Sequence, residues 1–192
     1  MIPVVDESSY VHPLATIIGH VTIGPSCYIG PGAVLRGDWG KIKLEGGCNV
    51  QENVVLHMFP GETVHLHEGA HIGHGAMIHG AIVGKEVMVG MNAVVLDGVQ
   101  LGEESIVGAL ALLKANSNWS PRSLIVGNPA KLVGQVSDEM IAHKKEGTRL
   151  YQTLPYEMMH SSQEVMPLRK DPGNRPEMFP QFETWQERKK RE

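Results

Sequence analysis

The feature that most constrains this chain is a six-residue period. Aliphatic residues recur at Val11, Ile17, Ile23, Ile29 and Leu35, opening hexapeptides that read IGPSCY, IGPGAV and LRGDWG. The series resumes at Leu44, Val50 and Leu56, breaks for a loop around Phe59 to Thr63, and returns at Leu66, Ile72 and Ile78. A one-residue slip follows, and the pattern runs on through Val83, Val89, Val95, Leu101, Val107 and Leu113. A large aliphatic residue every sixth position, with Gly, Ser or Ala nearby, suits a β-helix rather than an amphipathic helix. Three hexapeptides then make one coil of three short strands and three turns. Each aliphatic side chain points inward and stacks on the residue one coil away, about 4.8 Å along the axis. The 17 positions predict five to six coils over residues 11 to 115. A β-sandwich of alternating strands is the competing architecture, and so many in-phase repeats disfavour it.

Composition agrees with that economy. Only 5% of residues are aromatic, and there are 22 Gly and 12 Pro, so the interior has to be built from Val, Ile, Leu and Ala with frequent turns. A length of 192 residues suits one domain and an appendage, read here as a β-helix over 1–133 followed by a C-terminal helix and extended tail over 134–192. The net charge is −4 and no basic stripe precedes residue 188, which gives nucleic acid no electrostatic footprint. No apolar run reaches the length of a membrane span, and MIPVVDESSY lacks the regions of a signal peptide, so no membrane partner and a cytoplasmic location are expected. Cys27 and Cys48 lack the pairing of a thiolate metal site and are too few for a disulfide framework, which leaves them as small core residues.

The pattern resembles the bacterial hexapeptide-repeat superfamily, whose prisms wind left-handed against the usual crossover rule. That resemblance implies an all-β fold, a left-handed parallel β-helix with a C-terminal α-helix. IVGNPAK at 125 to 131 is similar to the segment that closes such prisms. A helix is predicted from Ser137, where SDEM supplies an N-cap and early carboxylates, to about Thr153, ahead of Pro155. Beyond Met166, PLRKDPGNRPEMFPQ is expected to be extended or disordered, and the piece around Phe182 to Trp185 to dock on a partner subunit.

Six of the ten histidines fall between positions 57 and 79. His57 follows core residue Leu56 and His79 follows core residue Ile78, so both take the second place of their hexapeptides, three repeats apart. They stack on one face of the prism, one coil step apart, close enough to share a metal ion at about 2.1 Å each. His74 takes the third place of the preceding hexapeptide, five residues and a corner from His79, or roughly 16 Å of extended chain at about 3.3 Å per residue. One chain does not readily bring it to the same ion. A homotrimer does, because the face bearing His74 in one subunit opposes the face bearing His57 and His79 in the next. The expectation is three interfacial sites per trimer, each with three His and an open fourth position.

NVQENVVLH and HIGHGAMIHG, with RGD at 36 to 38, resemble the γ-class carbonic anhydrases, in particular the branch with the phenylacetic acid degradation and carnitine operon hexapeptide proteins. The likeness implies Zn²⁺ as cofactor, with Fe²⁺, Co²⁺ or Ni²⁺ as alternatives, held by His57, His74 and His79. It also puts Arg36, Asp38, Gln51 and Glu52 at the interface and site. Arg36 is suited to pair bidentately with Glu52 across the interface. Gln51 is suited to orient bound water or a substrate oxygen, and Asp38 to fix a ligand imidazole in its tautomer. Tyr151, in GTRLYQ, is read as hanging from the terminal helix over a neighbour's metal. His65, His67 and His71 match no ligand of the family and are read as exposed or interface histidines.

A three-His metal with an open position generates hydroxide near neutral pH. The implied reaction is attack on a small-molecule substrate, either CO₂, giving reversible hydration, or an acyl-CoA thioester. The chain departs from the carbonic anhydrases at Trp39, where they place a carboxylate, and in MFPGET, which is too short for their proton-shuttle insertion. Glu62 is a makeshift shuttle at best, while Trp39 and Phe59 can wall a pocket for an acyl or aryl group. Two alternatives stay open: a CoA-dependent hexapeptide acyltransferase that uses a catalytic His without metal, and a metal-binding accessory protein without catalysis.

Overall fold

The computed structural model describes residues 1–176 and 182–190. Its core is a left-handed parallel β-helix in which short strands stack into three faces. Two faces join in an 11-stranded sheet, because Thr16–Ile23 and Val34–Leu44 bend through a corner and contribute to both. The corner requires glycine: Gly19 has φ +79, and a Cβ there would lie 2.3 Å from the Gly37 carbonyl oxygen. The third face is an 8-stranded sheet.

The inward residues are those of the six-residue period. Ile23, Ile29, Leu35, Leu44, Leu56, Leu66, Ile72, Ile78 and Leu113 are all fully buried, each contributing about 1.5–3 kcal/mol of burial free energy. Cys27 and Cys48 are free thiols buried in the same core, as expected. The coils number about seven rather than five to six, because strands that lack the strong period cap both ends. Val4–Val5 pairs below with Thr22 and Ile23, and Ser123–Val126 pairs above with Ile106 and Val107. IVGNPAK does close the prism: it turns the chain back so that Lys131–Gln135 runs antiparallel on Ser123–Val126, which carries β structure two residues past the expected boundary at 133.

Helix α1 (Asp138–Ser161) starts where expected, with the Ser137 side chain accepting from the Met140 amide and Asp138 and Glu139 in the first turn. It does not stop before Pro155. The helix continues through it, and Pro155 is buried, so packing outweighs the single backbone donor that proline removes. α1 lies along the 8-stranded face against Tyr10–Val11, Tyr28–Ile29 and Asn49–Val50. The Lys144 ammonium anchors it, donating to the Gly69 carbonyl at 2.9 Å and the Glu86 carboxylate at 2.7 Å.

Residues 162–176 carry no helix or strand; the rest of the proline-rich stretch, 177–181, lies outside the described residues. A second helix, α2 (Trp185–Lys189), opens on a Thr184–Glu187 capping box. Within the chain, Phe182 and Trp185 of this segment pack on His143 of α1, with ring centroids 5.0 and 5.4 Å away. Among the described residues no helix is long and apolar enough to cross a membrane.

Candidate functional site

His57 and His79 end the strands Val55–His57 and Met77–His79, which pair in parallel with His79 directly over His57. The two are 22 residues apart, because the loop after His57 lengthens that coil beyond three hexapeptides. The loop folds tightly on the bulge that carries Asp38 and Trp39: a Cβ at Gly40 would lie 2.2 Å from the Glu62 carbonyl oxygen and 2.7 Å from Met58 Cγ. Insertion and histidine pair thus belong to one local departure from the regular repeat.

The carboxylates around the pair decide which nitrogens carry protons. His79 Nδ1 is 2.6 Å from Asp97 Oδ1 and donates to it. His57 Nε2 is 3.3 Å from Asp38 Oδ1, where it donates in turn. The remaining nitrogens, His57 Nδ1 and His79 Nε2, face each other at 3.2 Å, and with both rings neutral and donating to these carboxylates both are lone-pair acceptors. The Arg36 guanidinium reaches into the same space, 3.3 Å from His57 Nδ1, and pairs with Asp38 at 2.8 Å. Asp38 is held below the usual carboxylate range: desolvation pushes it up, but the Arg36 and backbone hydrogen bonds outweigh that.

Two converging imidazole lone pairs fit a cation. Tetrahedral ligands about 2.1 Å from an ion stand about 3.4 Å apart, close to the separation found. Trp39 packs on the His57 ring at 5.2 Å and Phe59 on the His79 ring at 4.9 Å. Both aromatics are about half exposed and form an apolar wall beside the polar pair. A cleft of about 550 Å³, lined by Ile18, His20, Asp38, Trp39, Lys41 and Gly61, opens next to it.

His74 lies elsewhere. It sits in the turn after His71–Ile72, where its Nδ1 is hydrogen-bonded to Glu52, which also accepts from the Tyr28 hydroxyl at 3.2 Å. Burial, and then the Glu52 carboxylate, push the Tyr28 hydroxyl up to about 12. Within the chain, then, Glu52 partners His74 and Tyr28, while Arg36 partners Asp38.

Two expected site residues are committed to other work in this chain. Gln51 is buried, with its amide 2.9 Å from Asn49 Oδ1 and 2.7 Å from His71 Nε2, so it does not point at the histidine pair. Tyr151, on α1, covers His71 and Tyr28 of its own chain at 5.1 and 6.0 Å. His71 is therefore not an exposed histidine: it lies under α1, where burial, then Lys144 and His74, push its imidazole down to about 3. His65 and His67 are not free either, since both contact Glu45. Sequence reasoning also missed Asp97. It stands 18 residues after His79, a regular coil step, and that spacing was the available signal.

The family model described as bacterial transferase hexapeptide (six repeats) matches residues 3–37 and 80–115. The stretch between those matches contains His57, His74 and His79 as well as the loop after His57 and the bulge at Asp38 and Trp39. The carnitine operon protein CaiE of Salmonella agona is 43% identical over 93% of this chain and 90% of its own length. The crystal structure of a hexapeptide transferase family protein from Anaplasma phagocytophilum has 32% identity and a TM-score of 0.77, over 80% of this chain and 91% of that one. The N-acyltransferase AntD from Bacillus cereus, at 17% identity and TM-score 0.62, covers 75% of this chain and 88% of its own and shares the fold.

Proposed function

From the premise that the chain belongs to the hexapeptide-repeat family with the CaiE carnitine operon proteins, we propose that it acts on an acyl group carried as a thioester, at the cleft beside His57 and His79. Family membership supports acyl-group chemistry better than CO₂ hydration, the reaction the carbonic anhydrase resemblance put first. The observation that carries the reading is the pair of imidazole nitrogens facing each other, His57 Nδ1 and His79 Nε2, beside an apolar wall and a cleft with room for an acyl group.

His57 and His79 of one subunit and the partner's His74 are the residues that would hold a divalent ion in a homotrimer. When bound, that ion supplies a Lewis acid, which polarises a carbonyl and acidifies water. The chain's own residues do the rest. Asp97 keeps the proton on His79 Nδ1, and Asp38 keeps it on His57 Nε2, so both reactive nitrogens stay aimed at one point. Arg36 presents a guanidinium to developing negative charge, and Trp39 and Phe59 offer apolar surface to the acyl side.

A second reading rests on the 2.6 Å His79–Asp97 contact, the geometry of a carboxylate-oriented general base. Here His79 Nε2 accepts the proton of an acceptor hydroxyl or amine as that group attacks the thioester, and the CoA thiolate leaves, without metal. One experiment separates the readings. Purified protein is assayed for metal content, then for hydrolysis of a panel of acyl-CoA thioesters with and without hydroxyl and amine acceptors, and for CO₂ hydration, before and after chelation. Metal-dependent thioester turnover is expected. Acceptor-dependent turnover that survives chelation selects the second reading, and CO₂ hydration with no thioester turnover overturns both.

A further inference from the structure

A second group of metal-type donors stands away from the His57–His79 pair. Glu45 follows the strand Val34–Leu44; His65 lies in Thr63–Leu66, and His67 follows it. One ligand atom from each lies within 4.8 Å of the others, all in a single chain.

The backbone holds the three in place. The Glu45 amide donates to the Leu66 carbonyl at 2.9 Å, and the His67 amide to the Val83 carbonyl at 2.9 Å, both as parts of the coil ladder. His65 is fixed by register, stacked between Lys43 below and Ile82 above. The side chains converge on this platform. Glu45 Oε1 is 2.9 Å from His65 Nε2, Glu45 Oε2 is 3.4 Å from His67 Nδ1, and the two rings lie 4.0 Å apart and only 31° from parallel. The Glu68 amide donates to Glu45 Oε2 at 3.2 Å, which orients the carboxylate. Side-chain exposures of 31%, 20% and 37% for Glu45, His65 and His67 leave the cluster open to an ion from solvent.

We propose that Glu45, His65 and His67 form a second divalent-metal site, built within one chain and distinct from the interfacial set. Two imidazoles and a carboxylate are borderline donors that suit Zn²⁺, Co²⁺ or Ni²⁺ and disfavour Mg²⁺ and Ca²⁺. The separation of 3.4 Å matches the spacing of about 3.4 Å between tetrahedral ligands and that of 2.9 Å falls short of it, so a small side-chain rotation that opens the closer contact admits the ion, with water completing its shell. Lys43 is the resident competitor: its ammonium lies 3.4 Å from Glu45 Oε1 and must withdraw when the ion enters.

The site does not depend on the function proposed above, and the test separates the two. In a full-length His57→Ala/His79→Ala variant, Zn²⁺ is titrated calorimetrically with metal content measured in parallel. One ion per chain is expected to remain. Adding His67→Gln, a partly exposed position that spares the core, should weaken that binding by about tenfold or more. Lys43→Met should tighten it severalfold. Co²⁺ loaded into the His57→Ala/His79→Ala variant should show visible bands that His67→Gln abolishes. No bound Zn²⁺ in the His57→Ala/His79→Ala variant, or affinity and Co²⁺ bands indifferent to His67→Gln, overturns the site.

Discussion

His57 Nδ1 and His79 Nε2 face each other at 3.2 Å, while a carboxylate stands at the other nitrogen of each ring, Asp38 at His57 Nε2 and Asp97 at His79 Nδ1. With both rings neutral and donating to those carboxylates, such a contact repels unless a cation stands at its mouth, and within this chain the Arg36 guanidinium stands there. His57→Ala is expected to abolish tight Zn²⁺ binding at this pair and to lower thioester turnover by two orders of magnitude or more. Metal content and steady-state kinetics check both.

Asp97 acts on His79 from one coil above. Asp97→Asn replaces an acceptor that holds the Nδ1 proton with an amide able to turn either face, so it should weaken metal affinity about 10–100-fold with little loss of fold. Calorimetric titration beside a thermal melt distinguishes that outcome from general destabilisation.

Because His74 hydrogen-bonds Glu52 rather than joining the pair, a shared site needs two chains. Neither His74→Ala nor His57→Ala alone should form complete three-His sites. Co-refolding the two should restore a fraction of both metal and activity, since an intact His57–His79 pair can then meet an intact His74. Metal per subunit in the mixture, against each parent, measures it.

His71 predicts how stability changes with pH. Its imidazole titrates at about 3 when folded and near 6.5 in the ordinary state, so between those values the unfolded chain binds the extra proton. Stability contributed by neutral His71 is therefore complete above about pH 6.5 and falls as pH drops, by up to about 1.4 kcal/mol per unit. Thermal melts from pH 7 to 4.5 should show a declining Tm, and His71→Leu should flatten the slope even if it lowers the plateau.

Lys144 ties α1 to the prism through Glu86 and the Gly69 carbonyl. Lys144→Met strands the Glu86 carboxylate and should cost about 3–5 kcal/mol, whereas Lys144→Met/Glu86→Gln should recover much of it. Chemical denaturation curves of the two variants read the difference.

Much of this fold and part of its site are legible locally. Inward side chains of a β-helix repeat at a fixed interval, so Ile23, Ile29, Leu35, Leu56 and Ile78 announce the core, and Ser137 announces the start of α1. The same logic puts His57 and His79 on one face, because equal places in the hexapeptide are equal places on the prism. What the sequence by itself determined is whatever repeats along the chain. The tertiary structure decided what meets across coils and under the helix: Asp97 on His79, Asp38 on His57, Gln51 drawn to His71, and Tyr151 over its own chain. It also decided that α1 passes through Pro155, where burial overrides a local stop signal, and that Glu45, His65 and His67 converge. Asp97 apart, which stands a regular coil step from His79, the physical reason is common to these. A side chain's direction follows from its place in the repeat, but its partner depends on loop insertions and helix docking, which change the coil spacing without leaving a periodic mark.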